Sequence, residues 1–253
     1  MRVIGMLEII VVLSRITSAA VLTCAAIFAA HAEPRALIEL FTSQGCSSCP
    51  PADKLIGEFA NNPSVVAMSL AVDYWDYIGW KDTLALSANS KRQRDYAKAR
   101  GDREIYTPQV VVNGITHVVG NDRGAIERAI VQTRRDPAPM RLPITLKFAG
   151  NMLTVDVSAA QNEQGQAEIW LIPIIKTVSV AIARGENHGR SITYSNVVRR
   201  WIKLGNWIGK AETYNVSTKD FQSGEVDSVV VMVQRGTMSS PGLMLGAATT
   251  MLR

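Results

Sequence analysis

The chain is poor in the residues on which several kinds of function depend. Three cysteines and three histidines in 253 residues are too few for a disulfide-framework domain, and they leave little from which to build a four-ligand zinc site. The formal charge is only +5 and charged residues make up 19%. So mild a basic character argues against a nucleic-acid surface. No internal repeat or low-complexity tract is present, which sets aside solenoids and disordered arrays. Hydrophobic residues at 47% instead describe a globular chain of one or two domains that can bury real cores.

Long apolar runs are also missing, except near the N-terminus. There Arg2 and Arg15 precede an uncharged run from Ile16 to Ala30, which ends in the A-x-A site Ala30-His31-Ala32. This pattern predicts a signal peptide over residues 1–32, cleaved after Ala32, and therefore export to the periplasm or beyond. The run is shorter than the roughly 20 apolar residues that span a bilayer, so no stable membrane insertion is expected after cleavage. Cys24 leaves with the leader, and Thr23 before it is a poor match to the small residue that precedes a lipidated cysteine. Loss of Arg2, Arg15 and Glu8 lowers the net charge by one. Cys46 and Cys49 remain, an even count in a compartment where disulfides persist.

The chemistry concentrates in residues 36–60. Leu37, Ile38, Leu40 and Phe41 predict a short buried strand, and Gly45 offers the backbone freedom for a sharp exit. Pro50 and Pro51 fit only the first turn of a helix, which predicts a helix starting near Cys49 and continuing through Leu55, Ile56 and Phe59. Both thiols then sit at a helix N-terminus, whose partial positive charge favours the reactive thiolate. An unperturbed thiol near pKa 8.5 is only about 3% ionised at pH 7. A tenfold gain in the ionised form takes about 1.4 kcal/mol and a helix terminus contributes about 0.3–1 kcal/mol, so the dipole alone activates modestly. Strand, C-x-x-C and helix in this order point first to a redox pair. A structural disulfide, or half of a metal site completed by His117 or His188, is the alternative.

Val65 to Val72 predicts a second buried strand and so a βαβ unit. Asp73-Tyr74-Trp75-Asp76-Tyr77-Ile78-Gly79-Trp80 follows at its carboxyl end, the edge where ligands bind open α/β sheets. Trp75 and Trp80 are candidate substrate-binding residues and Asp73 a candidate proton acceptor, although the same rings read equally well as packing over the sheet edge. Lys91, Arg92, Arg94, Lys98 and Arg100 decorate a helix ending near Gly101, most simply a solvated face. Ile105 to Gly120 predicts two strands joined by an Asn113-Gly114 type I′ turn. A cis Thr107-Pro108 bond would make a fixed bend at its start. Asp122 caps a further helix.

The order strand, C-x-x-C, helix, strand, helix, Thr-Pro, strand, strand, helix resembles the thioredoxin fold. That resemblance implies Cys46 as nucleophile, Cys49 as resolving thiol, Pro108 as the cis-proline facing them, and Thr107 as a backbone contact for substrate. Phe41-Thr42-Ser43-Gln44-Gly45-Cys46-Ser47-Ser48-Cys49-Pro50-Pro51-Ala52-Asp53, Val72 to Asp76 with Gly79-Trp80, and Tyr106-Thr107-Pro108-Gln109 resemble the exported, thioredoxin-like family called domain of unknown function 1223. Arg184-Gly185-Glu186-Asn187-His188-Gly189-Arg190 and Tyr194 to Val198 are similar to that family too.

The proline-punctuated stretch 136–143 reads as a linker. It closes a thioredoxin-like domain over 33–135 and opens a mostly-β sandwich over 144–253, with strands around 144–148, 153–157, 167–172, 176–183, 199–204 and 228–234. The Gly185–Gly189 loop reads as a plain turn or a site for a partner or anion. The sequence thus predicts an exported thiol-disulfide oxidoreductase, with a Cys46–Cys49 disulfide in its oxidised form and no cofactor. Its partners would be a protein or small thiol or disulfide substrate and a redox partner. A non-catalytic binding module with a structural disulfide and a copper or zinc carrier are the alternatives.

Overall fold

Ala36–Thr42 forms β1, and every one of its residues is buried, as its nearly unbroken apolar run requires of a strand covered on both faces. The computed structural model describes residues 34–135, 139–160 and 165–252. The leader expected over 1–32 and residues 136–138 of the expected linker lie outside them. β1 pairs parallel with β2 (Val65–Ala71) and antiparallel with β3 (Gln109–Val112). β3 turns back into β4 (Thr116–Val119) through Asn113 and Gly114, both at positive φ as a type I′ turn needs.

Side chains alternate across β1. Ile38 and Leu40 pack with helices α1 (Pro50–Ala60) and α3 (Arg123–Thr133) on one face. Leu37 and Phe41 point to the other, where Tyr96 of α2 (Ser87–Arg100) packs. α2 ends on Gly101 in the left-handed conformation, and Asp122 caps α3 by accepting from the Ala125 N–H at 2.8 Å.

The stretch 136–143 does not end the sheet. β7 (Ala167–Ala181) pairs with β8 (Ser191–Val198), and β8 adds in parallel to β2 at Ser69↔Val197. With β11 (Ser228–Thr237) and β12 (Ser240–Met251) these make one nine-stranded sheet in the order β12-β11-β7-β8-β2-β1-β3-β4. β9 (Ile202–Trp207) joins it through β7. Strands from both sides of the expected linker therefore share one sheet, within a unit over Ala32–Arg253. Met140 N–H and Leu142 N–H bond the carbonyls of Met244 and Leu245 in β12.

A sandwich is present in part. β5 (Ile144–Ala149), β6 (Met152–Val157) and β10 (Glu212–Ser217) form a three-stranded sheet. Leu153, Val155 and Val157 share a core with Ile169, Leu171, Val229 and Val231 of the large sheet. The segments expected at 167–172 and 176–183 are one strand, β7, running through Pro173.

A buried charged cluster crosses the expected boundary. Arg92 of α2 donates to Glu39 of β1 at 2.6 and 3.2 Å, to Gln234 of β11 at 2.9 Å and to the Tyr96 hydroxyl at 2.8 Å. Its guanidinium also lies 4.4 Å from the Trp201 ring centroid. Arg92, expected on a solvated face, is fully buried, because β11 and β12 cover that side of α2. Breaking such a pair strands a charge in a dry interior. Arg92→Met is expected to cost about 3–5 kcal/mol, read as a lower urea midpoint at unchanged slope. A loss below about 1 kcal/mol would contradict this account of how the two halves are held.

Candidate active site

Past Thr42 the chain leaves β1 in a tight turn, with Cys46 N–H on the Ser43 carbonyl at 3.1 Å and Cys49 N–H on the Cys46 carbonyl at 3.2 Å. Cys49 is the N-cap residue of α1, and Pro50 and Pro51 occupy its first two positions, where a missing N–H costs nothing. Cys46 and Cys49 form a disulfide with a Cα–Cα distance of 5.4 Å. Cys46 Sγ lies 3.4 Å from the Ser48 hydroxyl. Ser47 and Ser48 are exposed, whereas the cysteines are 1% and 0% exposed.

Gly45 serves by its size and not by a left-handed φ. A Cβ there would stand 3.1 Å from both Trp75 Cβ and Ile78 Cδ1, so the aromatic segment closes directly over the turn. Trp75 Nε1 donates to Thr107 Oγ1 at 2.8 Å. The Thr107-Pro108 peptide is cis, and the Phe41↔Gln109 register sets it beside the carboxyl end of β1. Trp75, Thr107 and Pro108 thus gather at the edge that carries Cys46. Trp80 reaches a different partner, donating from Nε1 to Gln44 Oε1 at 2.8 Å.

Asp73 is occupied by α2: its backbone N–H and its carboxylate both bond the Ser90 hydroxyl. The carboxyl at the C-x-x-C is Asp53, one helical turn after Cys49. It is 1% exposed, accepts from Thr42 Oγ1 at 2.7 Å, and leaves Oδ2 without a hydrogen-bond partner. Burial lifts its pKa from 3.8 to about 8, opposed by the Thr42 hydrogen bond and aided by Asp82. Asp82, also pushed up by burial, accepts from the Gln44 N–H at 2.8 Å. The buried Tyr194 hydroxyl of β8 has no partner either. Asp53 is visible in the sequence as a polar residue in the first turn; its burial depends on β8, which no local signal places there.

Asn187, in the loop between β7 and β8, is fully buried. Its Nδ2 donates to the carbonyls of both Gln44 and Cys46 at 2.9 Å, and its Oδ1 accepts from Arg190 Nη1 at 3.1 Å. The loop expected as a turn or partner site is therefore a clamp on the C-x-x-C turn. His188 beside it is exposed. His117 lies on β4 and contacts Tyr106, Gln109 and Asp102. Among the described residues, no group of three or more His, Cys, Asp and Glu side chains is arranged to hold a metal.

The family model described as "Protein of unknown function (DUF1223)" matches residues 37–234, and the chain belongs to that family. The X-ray structure of an Agrobacterium tumefaciens protein is similar at 31% identity, over 86% of this chain and 94% of the other, with a TM-score of 0.77. HBP35 of Porphyromonas gingivalis shares the fold at 12% identity, over 87% of this chain and 76% of its own, with a TM-score of 0.53. No curated protein matches.

Asp53 makes a measurable prediction. A carboxyl whose pKa is raised on folding keeps a proton that the unfolded chain releases above about pH 4, so stability falls as pH rises from about 4 to about 8. Asp53→Asn is expected to lose part of that slope and to be more stable than the parent above pH 8. Thermal melts across this range check it, and an unchanged slope would contradict a buried, protonated Asp53.

Proposed function

We propose that this member of the family is an exported thiol-disulfide oxidoreductase, thioredoxin-like in its first hundred mature residues, acting through Cys46 and Cys49 on thiols and disulfides. The observation that carries this reading is the Cys46–Cys49 disulfide at the first turn of α1, with Thr107 and cis-Pro108 on the same sheet edge. A helix N-terminus stabilises the thiolate that exchange requires.

In the direction that reduces the protein, a substrate thiolate attacks Cys46 Sγ. The Cys46–Cys49 bond breaks and its electron pair goes to Cys49 Sγ, leaving a mixed disulfide on Cys46. In this reading Asp53, protonated at neutral pH by its burial and one helical turn after Cys49, supplies the proton that Cys49 takes up, whereas Asp73, the expected proton acceptor, is bonded to Ser90. A second substrate thiol then attacks the mixed disulfide, releases the oxidised substrate and leaves Cys46 reduced. The reverse sequence reduces a substrate disulfide at the expense of the dithiol.

The burial of both cysteines limits what can react. A folded disulfide cannot reach Cys46 unless Ser47-Ser48 or the segment around Trp75 yields, so the site favours small or extended substrates. The same burial supports a second reading, in which the disulfide pins the turn of a binding module. Cys49→Ala separates them. Produced in its native compartment, this variant is expected to accumulate mixed disulfides through Cys46, and Cys46→Ala none. Absence of adducts on a folded Cys49→Ala protein would favour the structural disulfide.

A further inference from the structure

α1 and β8 leave a groove between them of about 580 Å³, within the range that holds a small organic ligand. Its floor includes Asp53, whose buried Oδ2 finds no hydrogen-bond partner within the protein. Because burial keeps this carboxyl protonated at neutral pH, it adds no negative charge to the groove. Thr42, Asp82 and Tyr194 are the polar groups around it from the neighbouring elements.

Two cations line the same groove, Lys54 of α1 and Arg190 at the start of β8. Among the described residues neither has a carboxylate partner. Arg190 is held by Asn187 through one guanidinium nitrogen. The strand period places Ser191, Thr193 and Ser195 on one face of β8, and all three line the groove. Each hydroxyl can both donate and accept, and Thr193 Oγ1 already meets Ser179 Oγ at 2.8 Å. Gly57 lets α1 approach β8 closely: a Cβ there would come within 2.9 Å of Ser195 Oγ.

A neutral acid, two cations without a carboxylate partner among the described residues and a row of hydroxyls complement a ligand that carries an oxyanion at one end and hydroxyl groups along its length. We propose that the groove between α1 and β8 binds a small polyhydroxylated oxyanion, a sugar acid or sugar phosphate. Lys54 and Arg190 take the anionic group, and the β8 hydroxyls take the ligand's hydroxyls. The groove contains neither sulfur and shares only Asp53 with the redox site, and the contacts of Lys54, Arg190 and the β8 hydroxyls do not depend on the redox reading.

The test is a titration of the ¹⁵N-labelled protein with gluconate, glucose 6-phosphate, glucose and inorganic phosphate, read from amide shifts. Gluconate or glucose 6-phosphate is expected to saturate with shifts confined to α1, β8 and the Asn187 loop. Whichever binds more tightly identifies the anionic group. Lys54→Glu, a change at an exposed side chain, is expected to weaken binding at least tenfold, and Gly57→Leu to block it. The Cys46→Ser, Cys49→Ser protein is expected to bind as the parent does. Equal binding of glucose or inorganic phosphate, no saturable shifts, or undiminished binding by a folded Lys54→Glu protein would overturn the proposal.

Discussion

Two hydrogen bonds from one buried amide tie the C-terminal half of the chain to the turn that carries the cysteines. Asn187 Nδ2 donates to the carbonyls of Gln44 and Cys46; the Cys46 carbonyl also accepts from the Cys49 N–H, and a buried carbonyl left unpaired would be costly. The clamp can act only because β7 and β8 bring their connecting loop to that point. β8 does so by pairing with β2 and packing on α1, and Arg190 fixes the orientation of the amide. The sheet, the turn and the groove along α1 are thus consequences of one long-range placement.

The interior polar groups follow from the same placement. β8 and the segment around Asp82 bury Asp53, a first-turn residue that an isolated α1 would leave in water, and its proton affinity rises in response. β11 and β12 bury Arg92, which is tolerated because Glu39, Tyr96 and Gln234 surround it with partners. The first group is left with an open hydrogen-bonding position beside a groove, and the second is saturated. That difference separates a residue suited to chemistry or binding from one that specifies the packing of two halves.

The local elements were legible because their signals are local. The run from Leu37 to Phe41, the prolines after Cys49, Asn113-Gly114 and the Asp122 cap each report backbone chemistry within a few residues. What could not be read is pairing across the chain. Ser69↔Val197 joins residues far apart in sequence and leaves no periodic trace, so prolines around 137–143 looked like a boundary although Met140 and Leu142 bond β12. The same limit explains the candidate site. Cys46, Cys49, Trp75, Thr107 and Pro108 lie at one sheet edge. Asp53 drew no expectation, and Asn187 looked like part of a turn, because burial by β8 decides both.

The central claim is that this disulfide exchanges electrons. The direct measurement is the reduction potential of the Cys46–Cys49 couple, by equilibration against glutathione buffers with the Cys46→Ser, Cys49→Ser protein as blank. The account predicts a value between about −120 and −270 mV, the range of working dithiol catalysts. A value below about −300 mV, typical of disulfides that resist the glutathione pool, would contradict it and leave the disulfide as a pin for the turn.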